Sequence, residues 1–292
     1  MNVNRKGIIL AGGTGSRLYP VNKAASKQLL PIYDKPMIYY PLSTLMLAGI
    51  KEILIISGKG HLSDYKKLLG NGKSWGIKLE YAVQEEPKGI PEAYIIADSF
   101  LKDSPSALVL GDNLFFGSGF KDLLVKSSKE ESSTTFTYRV NDPERFGVLE
   151  FSSKGKIIGI EEKPDKPKSN IVATGLYFFD ARAQKIATTL TPSARGELEI
   201  KDLLECYIEE KSLLEARMGR GYAWFDAGTH TSLLNASNYV STIQKLQGIQ
   251  IGCLEEISFE NKWITPDELK DSHKKMPRSE YSDFLDLYIR NI

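Results

Sequence analysis

The feature that most constrains the fold is an apolar run that gives way to glycines and then to a cation near the start of the chain. Residues 7–11, Gly-Ile-Ile-Leu-Ala, predict a buried strand. Residues 12–15, Gly-Gly-Thr-Gly, allow positive φ angles and let backbone N–H groups approach a ligand closely. Arg17 adds a planar fork of donors that suits phosphate oxygens. Because anions collect where a strand turns into a helix, the pattern predicts a polyphosphate ligand and a helix that begins near Arg17.

Two familiar glycine motifs are excluded by the residues that follow the loop. The P-loop requires Lys and then Ser or Thr after its last glycine, whereas Ser16 and Arg17 stand here. The dinucleotide fingerprint requires glycine or alanine at the position of Leu18, which disfavours a Rossmann dehydrogenase. The remaining alternative is a turn in which the glycines serve conformation alone. Arg17 and Lys27 favour phosphate binding over that alternative.

Composition excludes several other classes of function. The 292 residues include 38 Lys and Arg against 37 Asp and Glu, and a net charge of +1 recruits neither nucleic acid nor an acidic membrane. The two cysteines and three histidines are too few and too scattered for a disulfide framework or a zinc site. No apolar run approaches the ~18 residues of a membrane span, and no signal-peptide pattern precedes Lys6. We therefore expect a reduced, soluble, cytoplasmic protein whose anion binding is local.

Short apolar runs alternate with helical patterns, which predicts an α/β fold. Residues 53–56 and 107–110 are continuous apolar runs, as in strands covered on both faces, and amphipathic stretches occur at 40–48 and 91–101. This rhythm predicts βαβ units with right-handed crossovers. The later runs at 134–140, 148–151, 156–160 and 175–179 predict hairpin or mixed-sheet strands. We expect a Rossmann-like open mixed sheet flanked by helices, a small β region, and a polar helical tail from 243 to 292.

Acidic residues follow two of the strands, at the edge where ligands of open α/β sheets bind. Asp112 comes directly after residues 107–110 and suits Mg²⁺, which prefers one or two carboxylates together with phosphate oxygens. A helix cap or a turn is the alternative role for Asp112. Asp226 follows an aromatic run and either completes that metal site or caps a helix that starts near Thr229.

A third strand end carries the charged run Glu161-Glu162-Lys163. An acid beside a lysine could hold the hydroxyls of a sugar and an attached phosphate, although such runs are more often solvated faces. Pro164 predicts an extended conformation for Lys163, because proline disfavours the α region in the residue before it.

Taken together and in this order, the segments resemble the sugar-phosphate nucleotidylyltransferases, and most closely the members that act on dTTP and glucose 1-phosphate. The resemblance extends from about Arg5 into the C-terminal tail and rests on many blocks in order rather than on one motif. Besides the glycine loop, the blocks are residues 26–31 (SKQLLP), 34–42 (DKPMIYYPL), 140–148 (VNDPERFGV), 161–164 (EEKP), 174–178 (TGLYF), 193–200 (SARGELEI) and 218–226 (MGRGYAWFD).

The resemblance implies an enzyme that transfers a thymidylyl group from dTTP to α-D-glucose 1-phosphate and releases pyrophosphate. It implies a single in-line displacement that depends on Mg²⁺ and starts a route to dTDP-rhamnose or a related deoxysugar. One alternative is a nucleotidylyltransferase for another nucleotide, such as UTP, or another sugar 1-phosphate. The other is a non-catalytic nucleotide-sugar sensor, but such relatives generally lose charged residues that are present here.

The resemblance also assigns roles to individual residues. The catalytic residues would be Arg17, Lys27, Asp112, Lys163 and Asp226, with the two aspartates as metal ligands and Arg17 and Lys27 at the departing pyrophosphate. The nucleotide-binding residues would be Gly12, Gly13, Thr14, Gly15, Arg17, Gln28, Gln84, Gly89 and Asp112, with Gln84 and Gly89 at the thymine. The sugar-phosphate residues would be Asn113, Gly147, Glu162, Lys163 and Ala173.

Domain organisation and assembly are implied in the same way. We expect a catalytic domain at residues 1–242, with a nucleotide part at about 1–115 and a sugar-phosphate part at about 116–242, and an assembly and regulatory segment at 243–292. A homotetramer is expected. Arg220 and Glu256 would bind an end-product dTDP-sugar at a second site between subunits, and the alternative for Arg220 is a pairing with an acid such as Glu215.

Several residues depart from the pattern of the family, among them the run Ile90-Pro91-Glu92 after Gly89 and Ala173, which replaces a usual valine in the expected sugar pocket. Glu92 places an extra acid near the expected nucleotide pocket, and Phe146 removes a hydroxyl near the expected sugar site. Gly119 and Leu254 alter the expected regulatory site. We therefore expect any feedback to be weak or tuned to another sugar.

Overall fold

The computed structural model describes residues 4–13 and 15–292. The strands are β1 (Lys6–Ala11), β2 (Pro31–Ile32), β3 (Lys35–Pro36), β4 (Glu52–Gly58), β5 (Lys78–Gln84), β6 (Ser106–Leu110), β7 (Asn113–Gly117), β8 (Ser133–Arg139), β9 (Gly147–Phe151), β10 (Ile157–Glu162), β11 (Ile171–Phe179), β12 (Leu213–Met218) and β13 (Tyr222–Asp226). The helices are α1 (Tyr39–Leu47), α2 (Leu62–Leu69), α3 (Glu92–Ile96), α4 (Asp98–Leu101), α5 (Phe120–Lys129), α6 (Ala183–Thr189), α7 (Ile200–Glu209), α8 (His230–Gln247), α9 (Leu254–Glu260), α10 (Pro266–Lys274) and α11 (Glu280–Arg290).

A nine-stranded mixed sheet organises these elements and confirms the predicted α/β class. Seven strands follow the order β10-β9-β11-β6-β1-β4-β5, while β8 pairs with β11 and β12 pairs with β8. The strands β6, β1, β4 and β5 are parallel, as βαβ units require, and β11 runs antiparallel to β6. The carboxyl ends of β1 and β6 therefore lie side by side, so the loops that follow them meet at one edge of the sheet.

The central strands are apolar along their length because helices cover both faces of the sheet. On β1, Ile9 packs into one apolar cluster with Leu45 of α1, whereas Ile8 packs into the opposite cluster with Tyr94 of α3 and Leu203 of α7. All five side chains are fully buried. Because neighbouring side chains of a strand point to opposite faces, the two isoleucines anchor both layers of helices at the strand that leads into the glycine loop.

Two predicted helices are shorter than the sequence pattern indicates. The helix expected near Arg17 is a single 3-10 turn at Ser16–Leu18, so anion binding there depends on loop N–H groups more than on a helix dipole. Residues 91–101 form the short helices α3 and α4, which are interrupted at Ala97. The predicted strands are confirmed, although β11 begins at Ile171 rather than at residue 175.

The C-terminal helices pack onto the layer that covers one face of the sheet. Leu254 and Ile257 of α9 join the apolar cluster that contains Leu45 of α1. The expected domain boundary after residue 242 falls within α8, which continues to Gln247, and the division into domains stays a prediction. Among the helices of the described residues, none has both the length and the apolar character that crossing a membrane requires.

Glu255 fastens the C-terminal helices to the rest of the molecule. Its side chain is buried, and its Oε1 accepts a hydrogen bond of 2.9 Å from the indole Nε1 of Trp75. The hydroxyl of Tyr281 on α11 donates to the other carboxylate oxygen. One carboxylate therefore satisfies two donors from segments that are far apart in the sequence.

We expect Glu255→Ala to lower the free energy of unfolding by about 3 kcal/mol, because the buried donors of Trp75 and Tyr281 lose their acceptor. Urea denaturation measures the change. Glu260→Ala is the matched control, since Glu260 accepts from the hydroxyl of Tyr288 at an exposed position of the same helix. The control should cost less than about 1 kcal/mol. Equal costs for both variants would contradict the fastening role of Glu255.

Candidate active site

A cleft lies at the carboxyl ends of β1 and β6. Two adjoining cavities of about 390 and 320 Å³ form it, and both are lined by Gly13, Arg17 and Asp112. The larger cavity extends to Gly147 of β9 and Glu162 of β10. The structure therefore brings the glycine loop and the predicted sugar-phosphate residues to one cleft.

The glycines of the loop adopt a conformation and a close approach to neighbouring groups that side chains would hinder. Gly15 has a φ of +61°, in the left-handed region. A Cβ on Gly12 would lie 1.8 Å from the Oε1 of Gln84, so only glycine permits this approach. A Cβ on Gly13 would meet nothing within 4 Å, which leaves its backbone open to the cleft. Thr14, the remaining predicted loop residue, lies outside the described residues.

Lys27 and Gln28 lie beneath this loop in the 3-10 turn Lys27–Leu29. Both side chains are buried and line the smaller cavity. The Oε1 of Gln28 accepts hydrogen bonds from the hydroxyls of Ser26, at 3.0 Å, and Tyr65, at 3.1 Å. These bonds hold the Gln28 amide in one orientation at the floor of the cavity.

Asp112 and Asp226 face the same cleft from neighbouring strand ends. Asp226 is the register partner of Asn113 in the antiparallel pair β13–β7, and the N–H of Ala227 donates to the carbonyl of Asp112 at 2.9 Å. Asp112 lies in the turn that precedes β7, so its turn alternative is confirmed and its helix-cap alternative is wrong. The helix α8 is capped by Thr229, so the helix-cap alternative for Asp226 is also wrong. Both carboxylates are available for the chemistry of the cleft.

The two aspartates differ in their electrostatic surroundings. Burial by itself raises the pKa of Asp112, but the ammonium of Lys27 in direct contact and a hydrogen bond from Asn113 bring that pKa below its ordinary value. Burial raises the pKa of Asp226, and the negative charge of Asp112 raises it further. Asp112 is thus held ionised, whereas ionisation of Asp226 is disfavoured because it would place a second negative charge beside Asp112.

This donor set fits Mg²⁺. Asp112 and Asp226 face one cleft, and their mutual repulsion, which adds to burial in raising the pKa of Asp226, is what a divalent cation would relieve. Within the described residues, no three His, Cys, Asp or Glu side chains gather into a complete metal cage. Two carboxylates with room for nucleotide oxygens are the ligands Mg²⁺ ordinarily takes, because it is seldom held by protein groups alone.

Arg17 reaches the cleft from the opposite side and approaches Asp226. A Cβ on Gly228 would lie 2.6 Å from the Nη2 of Arg17 and 2.8 Å from the Oδ1 of Asp226. Gly228 therefore leaves the space in which the guanidinium and the carboxylate converge. The Arg17 side chain is exposed and lines both cavities, which suits a ligand-binding cation.

Gln84 and Gly89 form the wall of the larger cavity next to the glycine loop. Gly89 has a φ of +101° and makes a β-bridge with Leu198. A Cβ on Gly89 would lie 2.0 Å from the carbonyl oxygen of Leu198, so a side chain would separate the two segments. The N–H of Leu198 also donates to the carbonyl of Lys88 at 2.8 Å. The predicted base-binding loop is thus joined directly to residues 193–200.

The predicted sugar-phosphate residues lie at the other end of the cleft. Gly147 and Glu162 are register partners in the β9–β10 pair, and Ala173 of β11 lines the same cavity. The Nζ of Lys163 lies 3.2 Å from the Oε1 of Glu162. Lys163 has a φ of +48°, so its predicted extended conformation is wrong: after the strand ends at Glu162 the chain turns through the left-handed region.

Asn113 lines the cleft with a side chain that is already engaged. Its Nδ2 donates to Asp112 at 2.9 Å, while its Oδ1 accepts from the indole of Trp224 at 2.6 Å and the N–H of Gly175 at 3.3 Å. Besides lining the cleft, Asn113 therefore orients the carboxylate of Asp112.

Arg195 is a cleft residue to which the sequence analysis assigned no role. It lines the larger cavity, donates to both oxygens of Glu199 at 2.8 Å, and lies 3.9 Å from Glu162. It adds a cation near Lys163. Its signal in the sequence is the pair of Arg195 and Glu199 four residues apart within a recognised block, but nothing local indicates that the loop faces the cleft.

Apart from the cleft, a second cavity of about 360 Å³ lies between β7 and α9. Glu256 and Gly119 line it, and burial together with the nearby charge of Glu260 raises the pKa of Glu256 to about 7. Arg220 does not line this cavity; it is exposed in the loop that leads into β13. Glu215 bonds to Arg217 at 2.7 Å, so the alternative pairing of Glu215 with Arg220 is wrong.

Comparison with known proteins identifies relatives of the whole chain. The family model described as nucleotidyl transferase matches residues 6–242. A glucose-1-phosphate thymidylyltransferase from Xanthomonas campestris is 52% identical over 282 residues, which is 96% of each chain. A protein of the same name from Neisseria meningitidis is 50% identical over 281 residues, covering 96% of this chain and 98% of its own.

A solved structure agrees with these sequence relatives. It comes from Bacillus anthracis and is described as a glucose-1-phosphate thymidylyltransferase; it superposes with a TM-score of 0.74 at 41% identity and covers 80% of this chain and 94% of its own. The chain therefore belongs to the nucleotidyl transferase family of enzymes and, within it, to the glucose-1-phosphate thymidylyltransferases.

Proposed function

We propose that this enzyme transfers a thymidylyl group from dTTP to α-D-glucose 1-phosphate, giving dTDP-glucose and pyrophosphate. The observation that carries the proposal is the order of groups along one cleft. A glycine loop with Arg17 and Lys27 stands at one end, two aspartates stand in the middle, and Glu162 with Lys163 stands at the other end. The names of the relatives support the choice of substrates.

The chemistry needs positioning and charge neutralisation rather than a protein nucleophile. An oxygen of the sugar phosphate is already ionised and attacks the α-phosphorus of dTTP, while the bond to the bridging oxygen breaks and pyrophosphate leaves. In this proposal Lys163 holds the phosphate of the sugar and Glu162 accepts hydrogen bonds from its hydroxyls. Arg17 and Lys27 face the charge that grows on the leaving pyrophosphate.

The cofactor is Mg²⁺ in this proposal, held by Asp112 and Asp226 together with nucleotide oxygens. When bound, the ion neutralises phosphate charge between the two substrates. Asn113 holds the Asp112 carboxylate by a hydrogen bond of 2.9 Å, and Lys27 keeps it ionised. Arg195 adds a further cation for the sugar phosphate at the far end of the cleft.

We also propose the cellular setting that the family resemblance implies. The product would enter a route to dTDP-rhamnose or a related deoxysugar, and the enzyme would act as a cytoplasmic homotetramer. Cys206 and Cys253 are unpaired, which suits a reducing compartment. Sedimentation analysis measures the number of subunits directly.

Feedback regulation is a further part of this proposal. Glu256 lines the second cavity, and so does Gly117, whose register partner Tyr222 follows Arg220 by two residues. This places the Arg220 loop next to an element of the cavity wall. We propose that an end-product dTDP-sugar binds there, with the guanidinium of Arg220 on its diphosphate.

The substrates and the metal are tested together by measuring pyrophosphate release over a panel of nucleotides and sugar 1-phosphates. We expect dTTP with glucose 1-phosphate to be the preferred pair and activity to disappear when Mg²⁺ is chelated. Asp112→Asn and Asp226→Asn should each lower kcat at least about a hundredfold, because each removes charge that balances the phosphates.

Asp122→Asn is the matched control for these variants, because Asp122 is exposed on α5 and does not line the cleft. Near-normal turnover by either cleft variant would refute the metal assignment. A preference for another nucleotide or sugar would refute the assigned substrates while leaving nucleotidyl transfer intact.

Arg17→Ala and Lys163→Ala should separate the two ends of the cleft. We expect Arg17→Ala to lower kcat by a factor on the order of 10²–10³, since its interaction strengthens as charge builds on the leaving group. Lys163→Ala should mainly raise KM for glucose 1-phosphate, and Lys166→Ala, at an exposed position nearby, should do neither. If Arg17→Ala changed only KM for dTTP, or Lys163→Ala affected only dTTP, that assignment would be wrong.

Inhibition by dTDP-rhamnose tests the regulatory proposal. We expect the wild type to show inhibition that is not purely competitive, and Arg220→Ala to weaken it, because the diphosphate loses its bidentate partner. Arg217→Ala is the control, since Arg217 lies on β12 and is bonded to Glu215 of the same strand. Equal and purely competitive inhibition of all three proteins would show that no second site operates through Arg220.

A further inference from the structure

Glu92 contacts the base-side residue Gln84 from behind the wall of the cleft. Its Oε2 accepts a hydrogen bond of 2.6 Å from the Nε2 of Gln84 and one of 2.9 Å from the backbone N–H of Lys88. Gln84 lines the larger cavity and is 3% exposed, whereas Glu92 does not line it. The carboxylate therefore acts on the cleft through Gln84 rather than by facing the ligand.

The carboxylate fixes which end of the Gln84 amide faces which way. A carboxylate oxygen only accepts hydrogen bonds, so the NH₂ of the amide must be the group that meets Glu92. The amide oxygen lies on the other side, against the bare Cα of Gly12, where a Cβ would lie 1.8 Å from it. Gly12 leaves room for the amide, and the acceptor at Glu92 sets which end of the amide lies there.

We propose that Glu92 is a positioning residue that sets the base preference of this enzyme through the polarity of the Gln84 amide. The proposal rests on the proposed function and on the role that the family resemblance implies for Gln84, which is to meet the base of the nucleotide. With its oxygen directed away from Glu92, Gln84 accepts a hydrogen bond from a ring N–H. Thymine and uracil carry that N–H at N3, whereas cytosine carries a lone pair there, so two acceptors would oppose each other.

A neutral amide in place of the carboxylate removes this constraint. A glutamine at position 92 can present either its oxygen or its NH₂, so the amide of Gln84 can adopt both orientations. A turned amide would donate to N3 of cytosine and accept from its exocyclic amine. By contrast, if Glu92 only fastens residues 85–90 through the N–H of Lys88, its loss weakens every nucleotide alike.

The experiment compares kcat/KM for dTTP and dCTP, each with glucose 1-phosphate and Mg²⁺, in wild type and Glu92→Gln. We expect the preference for dTTP over dCTP to fall about tenfold or more in the variant, the factor that one hydrogen bond of ordinary net strength contributes. Glu86→Gln is the matched control, since Glu86 is an exposed acid of the same loop that lies 3.5 Å from the Nζ of Lys88. The control should keep the wild-type ratio.

A double variant shows whether the effect passes through Gln84. In a Gln84→Ala background, Glu92→Gln should leave the dTTP to dCTP ratio unchanged. Two results would overturn the proposal: an unchanged ratio in Glu92→Gln with both rates lowered equally, or an equal drop of the ratio in the Gln84→Ala background. A wild-type enzyme that does not use dTTP would instead refute the proposed function, which makes the two failures distinguishable.

Discussion

The contact between Lys27 and Asp112 is the interaction on which the cleft depends. Both side chains are largely removed from solvent, so each charge requires the other, and loss of one partner would leave an uncompensated charge in the interior. The pair also sets the state of its surroundings. With Asp112 held ionised, ionisation of Asp226 is disfavoured, and Arg17 approaches Asp226 from the far side. Positively and negatively charged side chains thus lie next to one another in the cleft before any substrate binds.

This balance of opposed charges explains why the site lies where it does in the fold. Parallel strands deliver their carboxyl ends to one edge, and the antiparallel pair β7–β13 brings a further strand end to the same place. Residues distant in the sequence can then share one small volume without long loops. Asn113, with its oxygen bonded to Trp224 and its NH₂ to Asp112, links that second pair of strands to the charge balance.

The sequence predicted the strands and most of the cleft residues, because the local signals are strong. Continuous apolar runs mark covered strands, and polar residues directly after them reach the edge where the cleft forms. The helix after the glycine loop was not predicted correctly, since a single 3-10 turn and a longer helix share the same first residues. The left-handed backbone of Lys163 also escaped prediction: the preference imposed by Pro164 is a local tendency, and the hydrogen bond from the N–H of Lys163 to the carbonyl of Phe146 is a tertiary contact.

Long-range contacts account for what sequence reasoning could not reach. A glycine in a sequence indicates a turn, but Gly12 and Gly228 also leave space for side-chain groups that approach them, from Gln84 at Gly12 and from Arg17 at Gly228. Arg195 went unassigned for a similar reason, since only the folded chain shows that its loop borders the cleft. The sequence therefore predicts which residue types the site contains better than it predicts which segment each one touches.

The bridge between Gly89 and Leu198 couples two loops of the cleft, residues 84–92 and residues 193–200, so that one cannot be exchanged without the other. The carbonyl and N–H groups that join residues 88–89 to Leu198 leave no room for a side chain at position 89, so neither loop can be rebuilt without regard to the other. A designer who wished to move this cleft to a new pair of substrates would have to graft residues 84–92 and 193–200 together. Recombination between relatives could take these two stretches from different parents. It would then combine residues 84–92 of one protein with residues 193–200 that are shaped to contact a different loop.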